Sequence, residues 1–158
     1  METLDYGYTY LYGQKLLIIM KEETFVYIGT QALENVKQLI GGNHTYQLYQ
    51  HKIEQISKNL IEQPENCCYK IMYGTSFQRE VWQLLENIPK GKIYSYSQLA
   101  IFLQKPTATR AVANAIAKNP LLLLIPCHRV ITKKGTLGGY SGGVEMKKKL
   151  LAAESVFL

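Results

Sequence analysis

The sequence predicts an α/β protein of the α+β kind, with a small N-terminal domain of strands and helices and a mostly helical C-terminal domain. Three observations support this fold class. Aromatic and apolar residues alternate with a period of two near the N-terminus, and apolar residues recur with helical spacing from residue 32 onwards. The charge balance also reverses along the chain. Residues 1–69 hold 5 basic and 8 acidic residues, net −3, whereas 70–158 hold 13 basic and 4 acidic residues, net +9.

The N-terminal domain is predicted to contain a three-stranded sheet. Tyrosines occupy every second position from Tyr6 to Tyr12, so in a strand they share one face, which we interpret as a half-exposed sheet face. The apolar run at 16–20 is typical of a buried strand, and 24–28 predicts a third strand after a polar turn.

Two helices are predicted to follow the sheet. The first covers 32–40 and ends at a pair of glycines, and the second covers 45–62 with an apolar stripe along one side. Pro64 interrupts this pattern where the charge balance changes. We therefore predict two domains, an N-terminal α/β domain at 1–66 and a C-terminal domain at 67–158.

The C-terminal half carries the signals of three helices. Thr75 and Gln78 have the spacing of a capping box, which predicts a helix that continues to Pro89. A short helix at 97–103 and another between Pro106 or Thr107 and Asn119 have the arrangement of a helix-turn-helix. The second of this pair is rich in alanine, which suits either close approach to a groove or tight packing against the core.

Composition excludes several classes of protein. Hydrophobic residues make up 47% and charged residues 19%, which is incompatible with a disordered or low-complexity chain. The longest apolar runs are far shorter than the roughly 18 residues that span a bilayer, so no membrane association is expected. An odd number of cysteines, three, and an N-terminus without a leader pattern predict an intracellular, cytoplasmic protein. The basic half predicts a polyanionic partner.

Cys127 is the candidate reactive residue. It follows an apolar run at 121–125, predicted as a buried strand, and a proline. His128 and Arg129 next to it should favour the thiolate, which is the reactive form of cysteine. The alternative is a buried, unreactive cysteine. Adjacent residues make poor joint metal ligands, and Cys67 and Cys68 are also adjacent, so we predict no metal site.

The segment PCHRV at 126–130 resembles the active-site signature of the O6-alkylguanine-DNA alkyltransferases. Further motifs of that family occur in the same order and spacing, over about half of the chain. They are GTSFQ at 74–78 with Val81 and Trp82, IPKG at 88–91 with Ser95 and Tyr96, RAV at 110–112, NP at 119–120 and YSGG at 140–143.

The resemblance implies a DNA repair protein with a helix-turn-helix of the winged-helix type. Such a protein flips an O6-alkylguanine out of duplex DNA and transfers the alkyl group irreversibly to its own cysteine, here Cys127. It is consumed after one transfer and uses no cofactor. The alanine-rich helix would lie in the minor groove, where Arg110 would fill the gap left by the flipped nucleotide.

The resemblance also assigns individual roles, which fall into three groups. The catalytic residues would be Cys127, His128, Glu154, Asn119 and Tyr96. The guanine pocket would be formed by Tyr96, by the backbone of Val130, and by Tyr140 and Ser141. The DNA contacts would come from Arg110, Ala108, Thr109, Ala111, Ala113 and Asn114.

Within these groups His128 would act as the base through a water molecule, Glu154 would orient it, and Asn119 would brace the turn before the active site. Ala113 and Thr109 depart from the family pattern by adding a little bulk on the helix. Without the resemblance, Glu154 would be interpreted as a solvated charge. The lysine run at 147–149 is interpreted as a solvated helix face.

Two other functions remain open from the sequence. The first is a non-catalytic helix-turn-helix protein that binds alkylated DNA, although relatives of that kind lack the cysteine. The second is a cysteine hydrolase, for which His44 and His51 offer no recognisable context. The expected partner is double-stranded DNA that contains O6-alkylguanine, bound by a monomer. Cooperative binding stays open, and the location would be nuclear in a eukaryote.

Overall fold

The computed structural model describes all residues, Met1–Leu158. Seven strands and six helices follow one another along the chain. In order they are β1 (Glu2–Leu11), β2 (Gln14–Lys21), β3 (Thr24–Gly29), α1 (Leu33–Ile40), β4 (His44–Leu48), α2 (Gln50–Glu62), β5 (Cys68–Tyr69), α3 (Ser76–Glu86), β6 (Tyr94–Ser95), α4 (Tyr96–Phe102), α5 (Thr109–Ala117), β7 (Val130–Ile131) and α6 (Val144–Ala153). This mixture of strands and helices confirms the predicted α+β class.

The N-terminal sheet has five strands, in the order β4-β1-β2-β3-β5, rather than the predicted three. The meander β1-β2-β3 is antiparallel as its sequence indicates, while β4 and β5 add parallel to the outer strands. The prediction of helix at 45–48 was wrong. These residues pair with Thr3–Tyr6 of β1, and α2 begins only at Gln50.

The face of β1 that carries the tyrosines is half exposed, as predicted. Tyr6 and Tyr8 pack edge to face with ring centroids 6.3 Å apart and cover the core, whereas Tyr10 is 65% exposed. The opposite face receives α2 at Gly7, where an added Cβ would lie 2.8 Å from Cβ of Ile53. The core of this sheet is formed by Leu4, Leu17, Ile19, Val26, Tyr27 and Val36.

The chain divides into two compact units, and the division differs from the predicted boundary after residue 66. The first unit comprises Met1–Tyr73 together with Pro120–Leu124, and the second comprises Gly74–Asn119 and Ile125–Leu158. Residues 67–73 join the first unit because β5 pairs with β3 and the amide of Lys70 donates to the carbonyl of Phe25.

The predicted strand at 121–125 is not formed. Only one bridge occurs, between Ile28 and Leu121, because the backbone of Leu123 turns into the left-handed region with a φ of 75°. Residues 121, 122 and 125 are nevertheless fully buried, so the apolar run is a buried turn.

In the second unit, α3 and α4 both begin at capping boxes. The Thr75 hydroxyl accepts from the amide of Gln78 at 3.1 Å and the Gln78 side chain accepts from the amide of Thr75 at 2.9 Å, as predicted. Gly74 has a φ of 129°, and a Cβ there would lie 2.5 Å from the Trp82 ring. Trp82 is fully buried and its indole N–H donates to the carbonyl of Ala115, which fixes α3 against α5.

The helix-turn-helix consists of α4 and α5. The second helix begins at Thr109, later than the predicted Pro106 or Thr107, because residues 105–108 form a turn closed by a bond from the amide of Ala108 to the carbonyl of Lys105. Strands β6 and β7 form a short parallel pair, Tyr94 with Val130 and Ser95 with Ile131. None of the helices has the length and apolar character needed to cross a membrane.

Candidate active site

Cys127 begins a single 3-10 turn, Cys127–Arg129, directly after Pro126. It is 2% exposed, and its Sγ accepts a hydrogen bond of 3.0 Å from the side-chain amide of Asn119. The same amide nitrogen donates to the carbonyl of Ile125 at 2.8 Å. Asn119 therefore holds both the thiol and the backbone that leads to it.

The electrostatic surroundings of the thiol differ from those expected. Burial raises the pKa of the Cys127 thiol to about 11, and the Asn119 hydrogen bond and the charge of Lys147 act in the opposite direction. The prediction that His128 and Arg129 favour the thiolate was wrong, because both side chains are engaged with Glu154. The cation that lowers the pKa of the thiol is Lys147, which lies on α6.

His128, Arg129 and Glu154 form one cluster, in which His128 is buried and the other two side chains are partly buried. The Glu154 carboxylate lies 3.0 Å from Nε2 of His128 and accepts from Nε and Nη2 of Arg129 at 2.9 and 2.7 Å. Arg129 also donates to the carbonyl of Ile88. Although burial alone would raise it, the pKa of the Glu154 carboxyl is lowered to about 2 by its hydrogen bonds to His128 and Arg129.

This cluster determines which nitrogen of His128 can accept a proton. A carboxylate can only accept hydrogen bonds, so Nε2 of His128 carries a hydrogen toward Glu154. In the neutral imidazole the lone pair is then on Nδ1, which is buried and has no partner within the protein. His128 is thus oriented by Glu154 and presents a basic nitrogen.

A cavity of about 460 Å³ opens beside the thiol. It has the size of a small-molecule site. Its lining residues come from α4, α5, the 3-10 turn and the loop before α6, and they are Tyr96, Ala113, Ile116, Ala117, Cys127, Thr132, Gly138, Gly139, Tyr140 and Ser141. Of the four predicted pocket residues, Tyr96, Tyr140 and Ser141 line the cavity, whereas Val130 does not. Val130 is fully buried in β7.

Lys147 is the main residue that sequence reasoning placed wrongly. Lys148 and Lys149 are exposed as predicted, but Lys147 is fully buried. Its Nζ donates to the carbonyls of Leu137 and Gly139, and it lies 5.8 Å from the centroid of the Tyr96 ring. Burial lowers the pKa of Lys147 to about 8, against the effect of Cys127. The ammonium group thus holds the loop over the cavity and acts on the thiol.

Two tyrosine hydroxyls border the cavity. Burial raises the pKa of Tyr96, with a further effect from Cys127, so this hydroxyl stays protonated at neutral pH. Tyr140 has a pKa raised well above its usual value for the same two reasons. The Tyr140 hydroxyl is close enough to affect the thiol, but it makes no hydrogen bond of normal geometry. Both hydroxyls can donate to a ligand.

The residues predicted to contact DNA lie on α5 and at its start. Arg110, Ala111 and Asn114 are exposed, while Ala108, Thr109 and Ala113 are half-buried. Ala108 precedes the helix as its N-cap. Ala113 additionally lines the cavity, so one helix borders both the solvent and the thiol pocket.

Sequence reasoning missed five residues that line the cavity, and it also missed the role of Lys147. The five are Ile116, Ala117, Thr132, Gly138 and Gly139. A signal existed at Gly138, whose φ is 72° and where an added Cβ would lie 3.1 Å from Thr132 and 3.4 Å from Tyr96. The others carry no local signal. No group of three or more His, Cys, Asp or Glu side chains is arranged to hold a metal ion, and all three cysteines are free thiols.

The residues around this site match a known protein family. Residues 76–156 match the model of "6-O-methylguanine DNA methyltransferase, DNA binding domain". The chain belongs to this methyltransferase family. The match covers α3 to α6 and includes every residue that surrounds Cys127 in the second unit.

Individual family members are similar in sequence and in structure. A methylated-DNA–protein-cysteine methyltransferase of Salmonella typhimurium is 53% identical over 85 residues, 54% of this chain and 50% of that protein. An inducible one of Bacillus subtilis is 48% identical over 101 residues, 63% of this chain and 56% of that protein. The chain thus spans about half the length of the curated relatives it matches. The structure is also similar to the crystal structure of Mycobacterium tuberculosis OGT in complex with DNA, with a TM-score of 0.73 and 28% sequence identity. The superposition covers 95% of this chain and 92% of that chain.

Proposed function

We propose that this protein repairs O6-alkylguanine in duplex DNA by transferring the alkyl group, irreversibly and once, to Sγ of Cys127. The observation that carries this proposal is the thiol itself. It borders a cavity of about 460 Å³ together with two hydroxyl groups, and a histidine oriented by a carboxylate follows it in the same turn. Nucleophile, base and orienting group are the parts of a nucleophilic site.

The chemical step is a displacement at the alkyl carbon. The thiol proton passes through a water molecule to Nδ1 of His128, and the thiolate then forms a new S–C bond as the C–O6 bond breaks. The electron pair of the broken bond leaves with guanine, which takes up one proton. The product thioether does not hydrolyse, so the protein does not turn over and no cofactor is required.

A thiol with a pKa of about 11 is mostly protonated at neutral pH, so activation must accompany the reaction. The charge of Lys147 and the Asn119 hydrogen bond favour the thiolate, and the His128–Glu154 pair accepts its proton. Tyr96 and Tyr140, protonated at neutral pH, together with Ser141, are placed to donate hydrogen bonds to the departing base.

The target base must leave the duplex to reach a thiol that is 2% exposed. We infer that α5 enters the minor groove, where its alanines permit a close approach and Arg110 fills the space of the flipped nucleotide. The positive charge of residues 70–158 would supply the phosphate contacts. We also propose that the protein acts as a monomer. Because the reaction consumes a free thiol, we further propose that it works within a reducing cell compartment.

The test is incubation with a duplex that contains one O6-methylguanine, followed by intact-protein mass spectrometry and peptide mapping. We expect one added methyl group on Cys127 and stoichiometric loss of O6-methylguanine. Cys68→Ala is the matched control because this second thiol is exposed, and it should react like the wild-type protein.

Cys127→Ala should bind the same duplex without removing the methyl group. Multiple turnovers would contradict the mechanism and favour a hydrolase. Binding without any transfer by the wild-type protein would instead favour the non-catalytic DNA-binding alternative.

A further inference from the structure

Asn114 is the short polar side chain in the exposed strip of α5. The strip follows one side of the helix at helical spacing and consists of Arg110, Ala111, Asn114, Ala117 and Lys118. Asn114 lies at its centre and makes no hydrogen bond with the rest of the chain. Its amide therefore has both donors and an acceptor available to a ligand.

The helix itself gives no reason for an asparagine at this position. Asparagine is a poor helix former, because its side chain competes with the backbone for hydrogen bonds. Alanine would suit an exposed site in the middle of a helix better, and the neighbours on the helix surface, Ala111 and Ala117, are alanines. Asn114 is thus unfavourable for the isolated fold, and contact with a ligand would offset this.

The rest of α5 is a fixed platform for this side chain. The indole N–H of Trp82 donates to the carbonyl of Ala115 at 2.8 Å, and Val112, Ala115 and Ile116 are buried on the other side of the helix. Asn114 therefore projects from a rigid backbone, and only its own side-chain torsions are free. Its amide is limited to a small region above the strip.

The exposed strip also borders the thiol cavity. Ala113, next to Asn114 in sequence, and Ala117, one turn further along, both line the cavity. Residues three or four apart on a helix have Cβ atoms about 5–6 Å apart, so Asn114 is one such step from Arg110. Successive base pairs are about 3.4 Å apart. Asn114 thus lies within about two base-pair steps of the vacated position that Arg110 would fill.

The minor-groove edges of the base pairs decide which pair this amide prefers. An A·T pair displays only acceptors there, whereas a G·C pair adds the amino donor N2 of guanine. Nδ2 of Asn114 can donate to either pair, but Oδ1 finds a donor only at G·C. We propose that Asn114 reads the minor-groove edge of a base pair next to the target and prefers G·C there. This proposal rests on the proposed function and deepens it from general DNA binding to a preference for the sequence around the lesion.

The test measures the rate of methyl transfer from duplexes that differ only in the base pairs on either side of one O6-methylguanine. These pairs are G·C, A·T, inosine·C, which lacks the amino donor of G·C, and 2,6-diaminopurine·T, which adds that donor to A·T. The protein is kept dilute, so that the rate depends on binding as well as on transfer. Four proteins are compared, namely the wild type, Asn114→Ala, Asn114→Gln and, as control, Lys118→Gln, which changes an exposed residue at the end of the same helix.

The wild-type protein should react about tenfold faster with G·C than with inosine·C at one of the two flanks, near the lower end of what a good pair of hydrogen bonds to a base edge contributes. Diaminopurine·T should react like G·C, and A·T like inosine·C. The direction of the preference is informative, because inosine·C pairs open more easily and would by themselves favour faster extrusion. Equal rates for G·C and inosine·C at both flanks would overturn the proposal.

The variants show whether the preference depends on the amide. Asn114→Ala should lose the G·C preference, and Asn114→Gln, which keeps the amide, should retain part of it. Lys118→Gln removes a charge that suits phosphate, so it should slow transfer from all duplexes alike and keep the preference. An unchanged preference in Asn114→Ala, or its loss in Lys118→Gln, would contradict the assignment. Circular dichroism checks that each variant is folded, and alanine at an exposed helix site should not weaken the helix.

The same series separates this proposal from the proposed function. A wild-type protein that repairs every duplex at one rate would contradict the role of Asn114 alone. A wild-type protein that transfers no methyl group from any duplex would contradict the proposed function, and this proposal with it.

Discussion

The buried cluster around Cys127 and the exposed face of α5 illustrate two different uses of polar residues. In the cluster, Asn119, His128, Glu154 and Lys147 are all bonded to groups on other segments, and each is nearly or largely removed from water. On α5, Arg110 and Asn114 point into solvent and make no hydrogen bond or ion pair with the rest of the chain. The first set is held in place before any ligand arrives, whereas the second can order only on a partner.

The difference has an energetic consequence. Removal of one member of a bonded buried set leaves its partners without compensation for their lost hydration, so stability and reactivity should fall together. Removal of an exposed residue without partners should leave stability within about 0.5 kcal/mol and affect only binding. Substitutions in the two regions therefore test the comparison directly.

Asn119→Ala should have the largest effect. The carbonyl of Ile125 loses its donor and the Cys127 thiol loses both its position and one of the groups that lower its pKa. We expect a loss of about 1–3 kcal/mol in unfolding free energy, measured with urea. We also expect a fall of about a hundredfold in the rate of methyl transfer from the free base, since misplacement of a reacting atom costs that order.

The control is Asn87→Ala, which removes an exposed asparagine at the end of α3 whose side chain bonds only within its own helix. It should react at the wild-type rate. Equal rates for Asn119→Ala and wild-type protein would show that the thiol does not depend on this hydrogen bond.

Glu154→Gln should lower the transfer rate by roughly thirtyfold, less than the full contribution of a general base because His128 is retained. A glutamine amide can present either a donor or an acceptor to Nε2 of His128. The hydrogen of the neutral imidazole is then no longer fixed on Nε2. The pH dependence of stability provides a second signature. Because the pKa of Glu154 is lowered from 4.5 to about 2 in the folded protein, its contribution is complete above pH 4.5 and is lost as the pH falls toward 2.

Urea unfolding at pH 7 and at intervals from pH 5 to 2 measures this contribution. The wild-type protein should lose more stability than Glu154→Gln over that range. Parallel curves for the two proteins would mean that the carboxylate is not stabilised in the fold.

Lys147→Met should slow transfer at pH 7 by about tenfold. The substitution removes the buried cation that favours the Cys127 thiolate, so the thiol should ionise at higher pH. The rate of transfer from free O6-methylguanine, measured from pH 6 to 10, should show its rise displaced to higher pH. Lys148→Met, which changes the exposed neighbour, is the matched control. An unchanged profile in Lys147→Met would contradict the electrostatic role.

These residues also show which parts of the site can be predicted from sequence. Thr75 and Gln78 are three residues apart and bond to each other, so their spacing alone predicts the capping box. The ordered family motifs contain Cys127, Asn119 and His128, and the resemblance they establish also implied Glu154. The structure brings all four together in one unit. Local patterns and ordered motifs were sufficient in these cases.

Other features depend on distant partners. Residues 45–48 carry a pattern compatible with a helix, but pairing with β1, more than 40 residues away, makes them a strand. Lys147 lies in a run of three lysines whose pattern predicts a solvated helix face. It is nevertheless buried, and its Nζ donates to the carbonyls of Leu137 and Gly139. Strand pairing between distant segments cannot be detected from local sequence periodicity. The same holds for a buried charge that is hydrogen-bonded to backbone carbonyls.

Arg110→Ala should have the smallest effect on the protein itself and should act only on DNA. Because Arg110 is exposed and has no partner within the chain, we expect unchanged stability, within about 0.5 kcal/mol, and unchanged transfer from the free base. Repair of O6-methylguanine in duplex DNA should slow about tenfold, since the guanidinium group would offset only part of the few kcal/mol that extrusion of the base costs. Arg110→Lys keeps the charge but not the flat guanidinium group, so it should restore salt-dependent binding more than repair. Equal loss on free base and duplex would instead place Arg110 with the buried cluster, and the contrast between the two regions would no longer hold.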